Sequence, residues 1–428
     1  MAAILFISGF LLICLGIPVA MAIGISGFIA IIGSDGRLPL MVVPMKLFSG
    51  IDSFPLMAIP FFILAAEIMT RGAIAEVLLR FASQFVGRMK GGVGHTGIFT
   101  LTIFSGISGA AVADAAGPGT IVIRMMDRAG YGSAYAAALV ASTSVIGPII
   151  PPSIVMIVYA LVDEQVSVIG LFLAGIFPGL LIASAMFVVN YLVSRKRNYG
   201  AEGQIPGVLE IARNTWHAIP ALLLPVIILG GIHGGLFTPT EASAVAVFYA
   251  LIVGMVVYRT ITIKMIPELL LRAGLMSAVV MIIVAMSRVF AFVLTITQIP
   301  QFVSLAITDL GLEPIYLLLL INAFLLIVGM FLDPLSGVIV LVPILAPLIS
   351  VVGIDPIHFA IVAIVNLTLG LITPPVGALL FITSVASKQS IVKVIAELWP
   401  FGVAHLFVLL MLVLFPTISV GLPRAFGY

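Results

Sequence analysis

The residues of this chain that can do chemistry are a few acids, hydroxyls and prolines set inside long apolar stretches. Asp114 closes Ser105-Gly106-Ile107-Ser108-Gly109-Ala110-Ala111-Val112-Ala113-Asp114. An acid at membrane depth is a functional-site hypothesis by default. Asp333 stands in Gly329-Met330-Phe331-Leu332-Asp333-Pro334. There it reads as an N-cap with proline at the first helical position, and its carboxylate can also help neutralise a cation. Two proline pairs interrupt apolar runs, at Gly147-Pro148-Ile149-Ile150-Pro151-Pro152 and at Gly370-Leu371-Ile372-Thr373-Pro374-Pro375-Val376. Proline removes an amide donor and frees the carbonyl one turn back.

Those groups suit small ions. Carbonyls at an unwound segment suit a hard monovalent cation, and amides at a helix start suit a carboxylate. Two cation sites follow: Ser105 and Ser108 with the Gly147–Pro151 break, and Gly329 and Asp333 with the Gly370–Val376 break. A solute falls between the two tips, in a region holding Gly109, Asp114, Pro152, Pro375 and Arg288. Arg288 lies midway along an apolar run. It can meet a substrate carboxylate, snorkel to the interface, or pair with an acid such as Glu67. Thr238-Pro239-Thr240-Glu241 reads as a capping box, so Glu241 is structural.

Enzyme chemistry has no visible seat. The histidines at 95, 217, 233, 358 and 405 are too far apart for a His-Glu-x-x-His zinc site, and there is no Walker loop and no Gly-x-Ser-x-Gly elbow. Cys14 is the only cysteine, which excludes an intramolecular disulfide and a multi-cysteine metal site. No catalytic residue and no organic cofactor is expected.

The elements that hold these residues must be membrane helices. Hydrophobic residues make up 62% of the 428 and charged residues 8%, against about 25% charged in soluble domains. Mean hydropathy is +1.33, so the bilayer is the solvent. A net charge of +2 gives no case for nucleic acid. The apolar first thirty residues lack a basic leader and read as retained membrane helix, not a cleaved signal. A span needs roughly 20 apolar residues. The runs are 4–33 (one helix, or two broken at Gly16-Ile17-Pro18), 54–70, 133–160, 168–193, 213–232, 239–257, 274–297, 356–383 and 394–416. Two more, 94–126 and 314–350, are interrupted midway by Gly, Pro, Ser and Asp.

Charge sets sidedness. Arg195-Lys196-Arg197 is the densest basic cluster and should be cytoplasmic. Arg88 and Lys90 precede the first interrupted stretch, and Arg124 and Arg128 end it. Asp309, Glu313 and Asp355 flank the second. The two stretches are therefore expected to be re-entrant hairpins from opposite faces, although Arg37 and Lys46 then fall outside against the positive-inside trend.

The halves also match each other at an offset of about 221–223 residues: Pro18 with Pro239, Phe104–Met126 with Ile327–Ile349, and Ile150-Pro151-Pro152 with Thr373-Pro374-Pro375. The expected architecture is an all-α polytopic membrane protein of two inverted repeats, each with about five spans, a hairpin and a Pro-broken helix. The first repeat covers 1–197 (hairpin 94–126, broken helix 133–160), a cytoplasmic connector 198–212, and the second repeat 213–428 (hairpin 314–350, broken helix 356–383). Inverted repeats with broken helices mark secondary transporters.

On these residues the chain resembles the large membrane subunit of tripartite ATP-independent periplasmic (TRAP) transporters of the dicarboxylate/sialic-acid type. Matching stretches are Leu47–Phe62, Ser105–Asp114, Gly235–Ala242, Gly329–Pro334 and Thr373–Gly377, in family order over nearly the whole chain. The resemblance implies a bacterial inner-membrane, elevator-type symporter driven by sodium rather than ATP. It implies a periplasmic substrate-binding protein and a small four-helix membrane subunit as partners. No extra helices precede the repeat, so that subunit is expected to be separate. The family's sodium ligands fall on Ser105, Ser108, Gly147, Ile150 and Pro151, and on Gly329, Gly370, Thr373 and Val376 with Asp333 adjacent. The tip reads Ser-Gly-Ala-Ala where many relatives have Ser-Gly-Ser-Ala, so Ala110 lacks a hydroxyl. The alternatives are a self-sufficient inverted-repeat anion transporter or antiporter, and an intramembrane enzyme.

Overall fold

A computed structural model describes residues 1–34, 38–71, 74–200, 207–308 and 313–428. Arg37, Asp309 and connector residues 201–206 lie outside the described residues. The described residues are helical with no strand. That is the outcome a bilayer solvent imposes, because helices satisfy every backbone group internally. Among the described residues, seven segments are long and apolar enough to cross: Phe54–Arg71, Val168–Arg197, Val208–His233, Pro239–Val257, Ile263–Ile296, Pro334–Val352 and Ile391–Leu414.

The run 4–33 is two helices, Ala2–Cys14 and Val19–Ile32. Gly16 takes a left-handed φ of +80° at the break, and Pro18 supplies no amide to continue the first helix. The two run antiparallel, with Ile4 against Gly33 and Gly9 against Ser26. Each is about 20 Å long at 1.5 Å per residue, short of the ~30 Å hydrocarbon core. They pack on Ile266–Ile296, where Gly24 and Gly27 make room for Met286 and Val289.

The first interrupted stretch is Gly92–Ser108, a tip, Ala111–Ala116 and Pro118–Arg128. The second is Pro314–Gly329, a tip and Pro334–Val352. The proline-broken runs are Ser133–Ser144 with Ile154–Val162, and Pro356–Gly370 with Ala378–Ser387. Both Pro151–Pro152 and Pro374–Pro375 are cis.

The 30-residue helix Val168–Arg197 is about 45 Å long and gives a ruler. Near its C-terminal end Asn190 Nδ2 donates to the Gly91 carbonyl at 3.0 Å, and Ser194 lies against Gly91. At its N-terminal end Gly170 lies against Ile357, and just before it Gln165 Oε1 accepts from Ser350 Oγ at 3.1 Å. The base of the first interrupted stretch (Gly91) and the base of the second (Ser350) therefore sit at opposite ends of one helix.

Ion pairs sort the same way. Arg71 and Arg272 both bind Glu268 at 2.9 Å, and Arg197 binds Glu397 at 2.7 Å, which gathers the basic loops. Asp355 binds Arg424 at 2.8 Å at the other end. Lys46 stands 4.9 Å from the Phe292 ring centroid, so its charge is held by an aromatic face. Between helices, close approach is made at small residues, as where Gly97 meets Val122 and Gly119 meets Val140, the packing that lipid-embedded helices rely on.

Candidate functional site

The first tip is built around one carboxylate. Gly109 adopts φ +62° and its amide donates to the Ser105 carbonyl at 3.1 Å, which ends the first arm. The chain then turns through Ala110, and the short helix Ala111–Ala116 brings Asp114 back beside that arm. The Ser105 hydroxyl donates to Asp114 Oδ2 at 2.7 Å and also lies 2.8 Å from the Leu101 carbonyl. The Ser108 hydroxyl donates to Asp114 Oδ1. Asp114 is fully buried, as is Ser105.

The first proline break closes on this cluster. A Cβ at Gly147 would stand 2.8 Å from both Asp114 Oδ2 and the Ala111 amide nitrogen, so only glycine lets the break approach so closely. Gly106 faces Ile150 and the Pro151 carbonyl, and Gly109 abuts the Pro152 carbonyl. Ser153 spans the break: its hydroxyl donates to the Pro148 carbonyl at 2.6 Å and accepts from the Met156 amide at 3.3 Å. Ser105, Ser108, Gly147, Ile150 and Pro151 are thus brought together, with Asp114 among them.

The second cluster is looser. Gly370 lies against the Gly329 backbone with no side chain between. The Thr373 hydroxyl donates to the Leu369 carbonyl at 2.8 Å, and the Leu379 amide reaches across the break to the Leu371 carbonyl at 3.0 Å. Gly329, Gly370 and Thr373 gather at this tip. Asp333 is exposed and caps Pro334–Val352, accepting from the Ser336 amide at 3.1 Å and its hydroxyl at 2.6 Å. Val376 is 43% exposed at the rim, and Pro374 and Pro375 are exposed too. The first break, by contrast, is buried at Gly147, Pro151 and Pro152.

Between the two tips lies a cavity of about 230 Å³. Its wall includes Ser108–Ala113 and Pro148 from one side, Asp333–Leu335 and Leu371 from the other, and Glu67, Thr70 and Met276 across from them. Gly109 lines it. Asp114, Pro152, Pro375 and Arg288 do not. Asp114 turns instead toward Ser105 and Ser108, because the turn at Gly109–Ala110 folds the second arm back on the first. Arg288 opens on a separate cavity of about 380 Å³ with Asp163, Glu164 and Gln165, and its Nη2 donates to the Leu161 carbonyl at 3.2 Å.

Glu67 is the wall residue that the sequence treated only as a possible partner of Arg288. Among the described residues it makes no hydrogen bond and no ion pair, with Arg288 or any other group. An acid inside the run 54–70 was the available signal. Glu67 and Asp333 are the ionisable side chains on this cavity wall, and no arginine or lysine lines it among the described residues. Glu241 closes the expected capping box, accepting from the Thr238 amide at 2.8 Å while its own amide donates to Thr238 Oγ1 at 3.3 Å.

The family described as "Tripartite ATP-independent periplasmic transporter, DctM component" matches residues 6–418. The chain is 39% identical over 413 residues to the C4-dicarboxylate TRAP transporter large permease protein DctM of Pseudomonas aeruginosa, covering 95% of this chain and 94% of that one. It is 39% identical over 386 residues to the sialic acid TRAP transporter large permease protein SiaM of Vibrio cholerae, covering 90% of each. In fold it is similar to the YdaH transporter of Alcanivorax borkumensis, with a TM-score of 0.57 at 14% identity over 90% of this chain and 88% of that one.

Proposed function

The chain belongs to the DctM component family of tripartite ATP-independent periplasmic transporters, a multi-pass membrane permease, and on that premise we propose that it carries a small carboxylate inward with sodium. The solute would be a C4-dicarboxylate, a sialic acid or a similar organic acid. It would be handed over by a periplasmic binding protein, with a small four-helix membrane subunit completing the complex in the bacterial inner membrane.

The observation that carries this reading is the meeting of each tip with a proline break. At the first, two hydroxyls, one carboxylate and the backbone of an unwound segment converge in a buried space. Such hard oxygen donors fit Na+. Asp114 would supply the compensating charge that a buried cation needs. At the second, Gly329, Gly370 and Thr373 would bind with backbone and hydroxyl oxygens, with Asp333 and Val376 at the edge. Binding of two cations next to the cavity between the tips would raise its affinity for an anion.

Coupling follows from the wall opposite. Glu67 faces the space where the solute would lie, and at an effective dielectric of about 20 two like charges some 6 Å apart repel by roughly 3 kcal/mol. An anionic solute would therefore enter well only after the cations. The placement of the two hairpin bases at opposite ends of Val168–Arg197 supports inverted repeats, and the tips with their breaks would move as one body past the helices bearing Glu67 and Met276, an elevator.

The test is uptake in proteoliposomes. Accumulation should require an inward sodium gradient, the small subunit and the loaded binding protein together. Uptake by this chain alone would instead support a self-sufficient anion transporter.

A further inference from the structure

A cleft of about 570 Å³ opens beside the first hairpin, away from both tips. Its walls are Ile74–Val86 and Pro118–Arg128, which each pack on Gly92–Ser108. Arg80 projects from one wall, and Arg124 and Arg128 from the other. Leu79, Ile121, Met125 and Ala129 form the floor.

The charges are out of balance. Arg124 and Arg128 are one helical turn apart, a like-charge spacing that destabilises a helix. Among the described residues neither makes an ion pair or a side-chain hydrogen bond. Glu76 is the acid on the wall. It stands 4.0 Å from Arg80, and both side chains are mostly exposed, so one carboxylate faces three guanidiniums. The cleft lies at the Arg88–Lys90 end of the hairpin, the end that charge assigns to the cytoplasm.

The geometry points to a binding site for one anionic phospholipid of the inner leaflet, its phosphate held by Arg80, Arg124 and Arg128 and its acyl chains laid on the apolar floor. A phosphodiester accepts the planar, paired donors of arginine, and basic pockets between membrane helices on the cytoplasmic side are suited to acidic headgroups. A free anion would satisfy the arginines but leave the partly exposed Ile121 and Met125 against water. A seated lipid would also wedge the hairpin against Ile74–Val86. This goes beyond the transport reading and does not depend on it.

Native mass spectrometry of the purified full-length chain, titrated with phosphatidylglycerol, tests the site. One retained phosphatidylglycerol is expected, with phosphatidylcholine washing off. The Arg124→Gln/Arg128→Gln variant should lose affinity roughly tenfold or more, since two interfacial charges are removed. Arg124→Lys/Arg128→Lys should keep part of the binding, and Glu76→Gln should strengthen it. Unchanged elution and melting of each variant without lipid establish folding; if the Gln pair fails that check, the Lys pair and Glu76→Gln decide. Equal retention of phosphatidylcholine, undiminished binding in a folded Gln variant, or no change in both of the other variants overturns the proposal. So does displacement of the lipid by millimolar inorganic phosphate or succinate, which would mark a soluble-anion site. Lipid occupancy is read without uptake, so failure here leaves the transport reading standing.

Discussion

Asp114 Oδ2 accepts from Ser105 Oγ at 2.7 Å across nine residues of chain, which ties the returning arm of the first hairpin to the outgoing one. The Ser105 oxygen also lies 2.8 Å from the Leu101 carbonyl, yet a serine hydroxyl has one hydrogen to give. A cation among these oxygens would relieve that shortage of donors and balance the carboxylate.

Asp114→Asn keeps the size of the side chain and removes its charge. Removing one partner of a buried charge pair costs about 3–5 kcal/mol, so the sodium concentration for half-maximal uptake should rise at least ~100-fold, beyond the usable range. Ser108→Ala and Thr373→Ala each remove one neutral ligand and should raise it about tenfold. Sodium titration of uptake in proteoliposomes measures all three, and an unchanged midpoint in each would remove the ligand assignment.

Gly147→Ala should abolish uptake while the protein still reaches the membrane. Its Cβ would meet Asp114 Oδ2 and the Ala111 amide nitrogen at 2.8 Å, and overpacking of this kind costs about 1–3 kcal/mol. Gly370→Ala should behave alike, because its Cβ would run into the Gly329 carbonyl. Melting temperature alongside uptake separates a displaced tip from a lost fold; full activity in both variants would contradict the close approach.

Glu67→Gln should loosen coupling rather than stop transport. With the opposing charge gone, an anionic solute gains access without its full complement of sodium, so uptake at low sodium should rise severalfold relative to uptake at saturating sodium. The accumulation ratio at steady state should fall with it. An unaltered sodium dependence would show that Glu67 does not face the solute.

Accessibility labelling checks the opposite-ended arrangement. In a Cys14→Ser background, Met89→Cys at the first base (44% exposed) and Val351→Cys at the second (63% exposed) should label from opposite sides of the membrane. Labelling of both from one side would separate the two tips and remove the cavity between them.

The membrane setting was determined by the sequence alone. With 62% hydrophobic and 8% charged residues, the runs had to become helices, and the pattern located their breaks, because Gly and Pro act on the backbone within a turn of where they stand. Asp333 as a cap and the Thr238–Glu241 box were legible for the same reason: each is complete within four residues. The pattern of the run 4–33 allows one helix or two, and the left-handed Gly16 with the antiparallel pairing of Ile4 and Gly33 decides for two. Tertiary structure alone decided what faces what. It turned Asp114 toward Ser105 and Ser108 instead of the cavity, drew Arg288 into a separate space with Asp163 and Glu164, and set Glu67 opposite both tips. The direction of an acid on an apolar helix depends on which neighbours pack against that helix. For Arg288 and Glu67 those neighbours stand tens to hundreds of residues away, and for Asp114 they stand on another arm of the hairpin, across a turn, so no pattern within one helix records them.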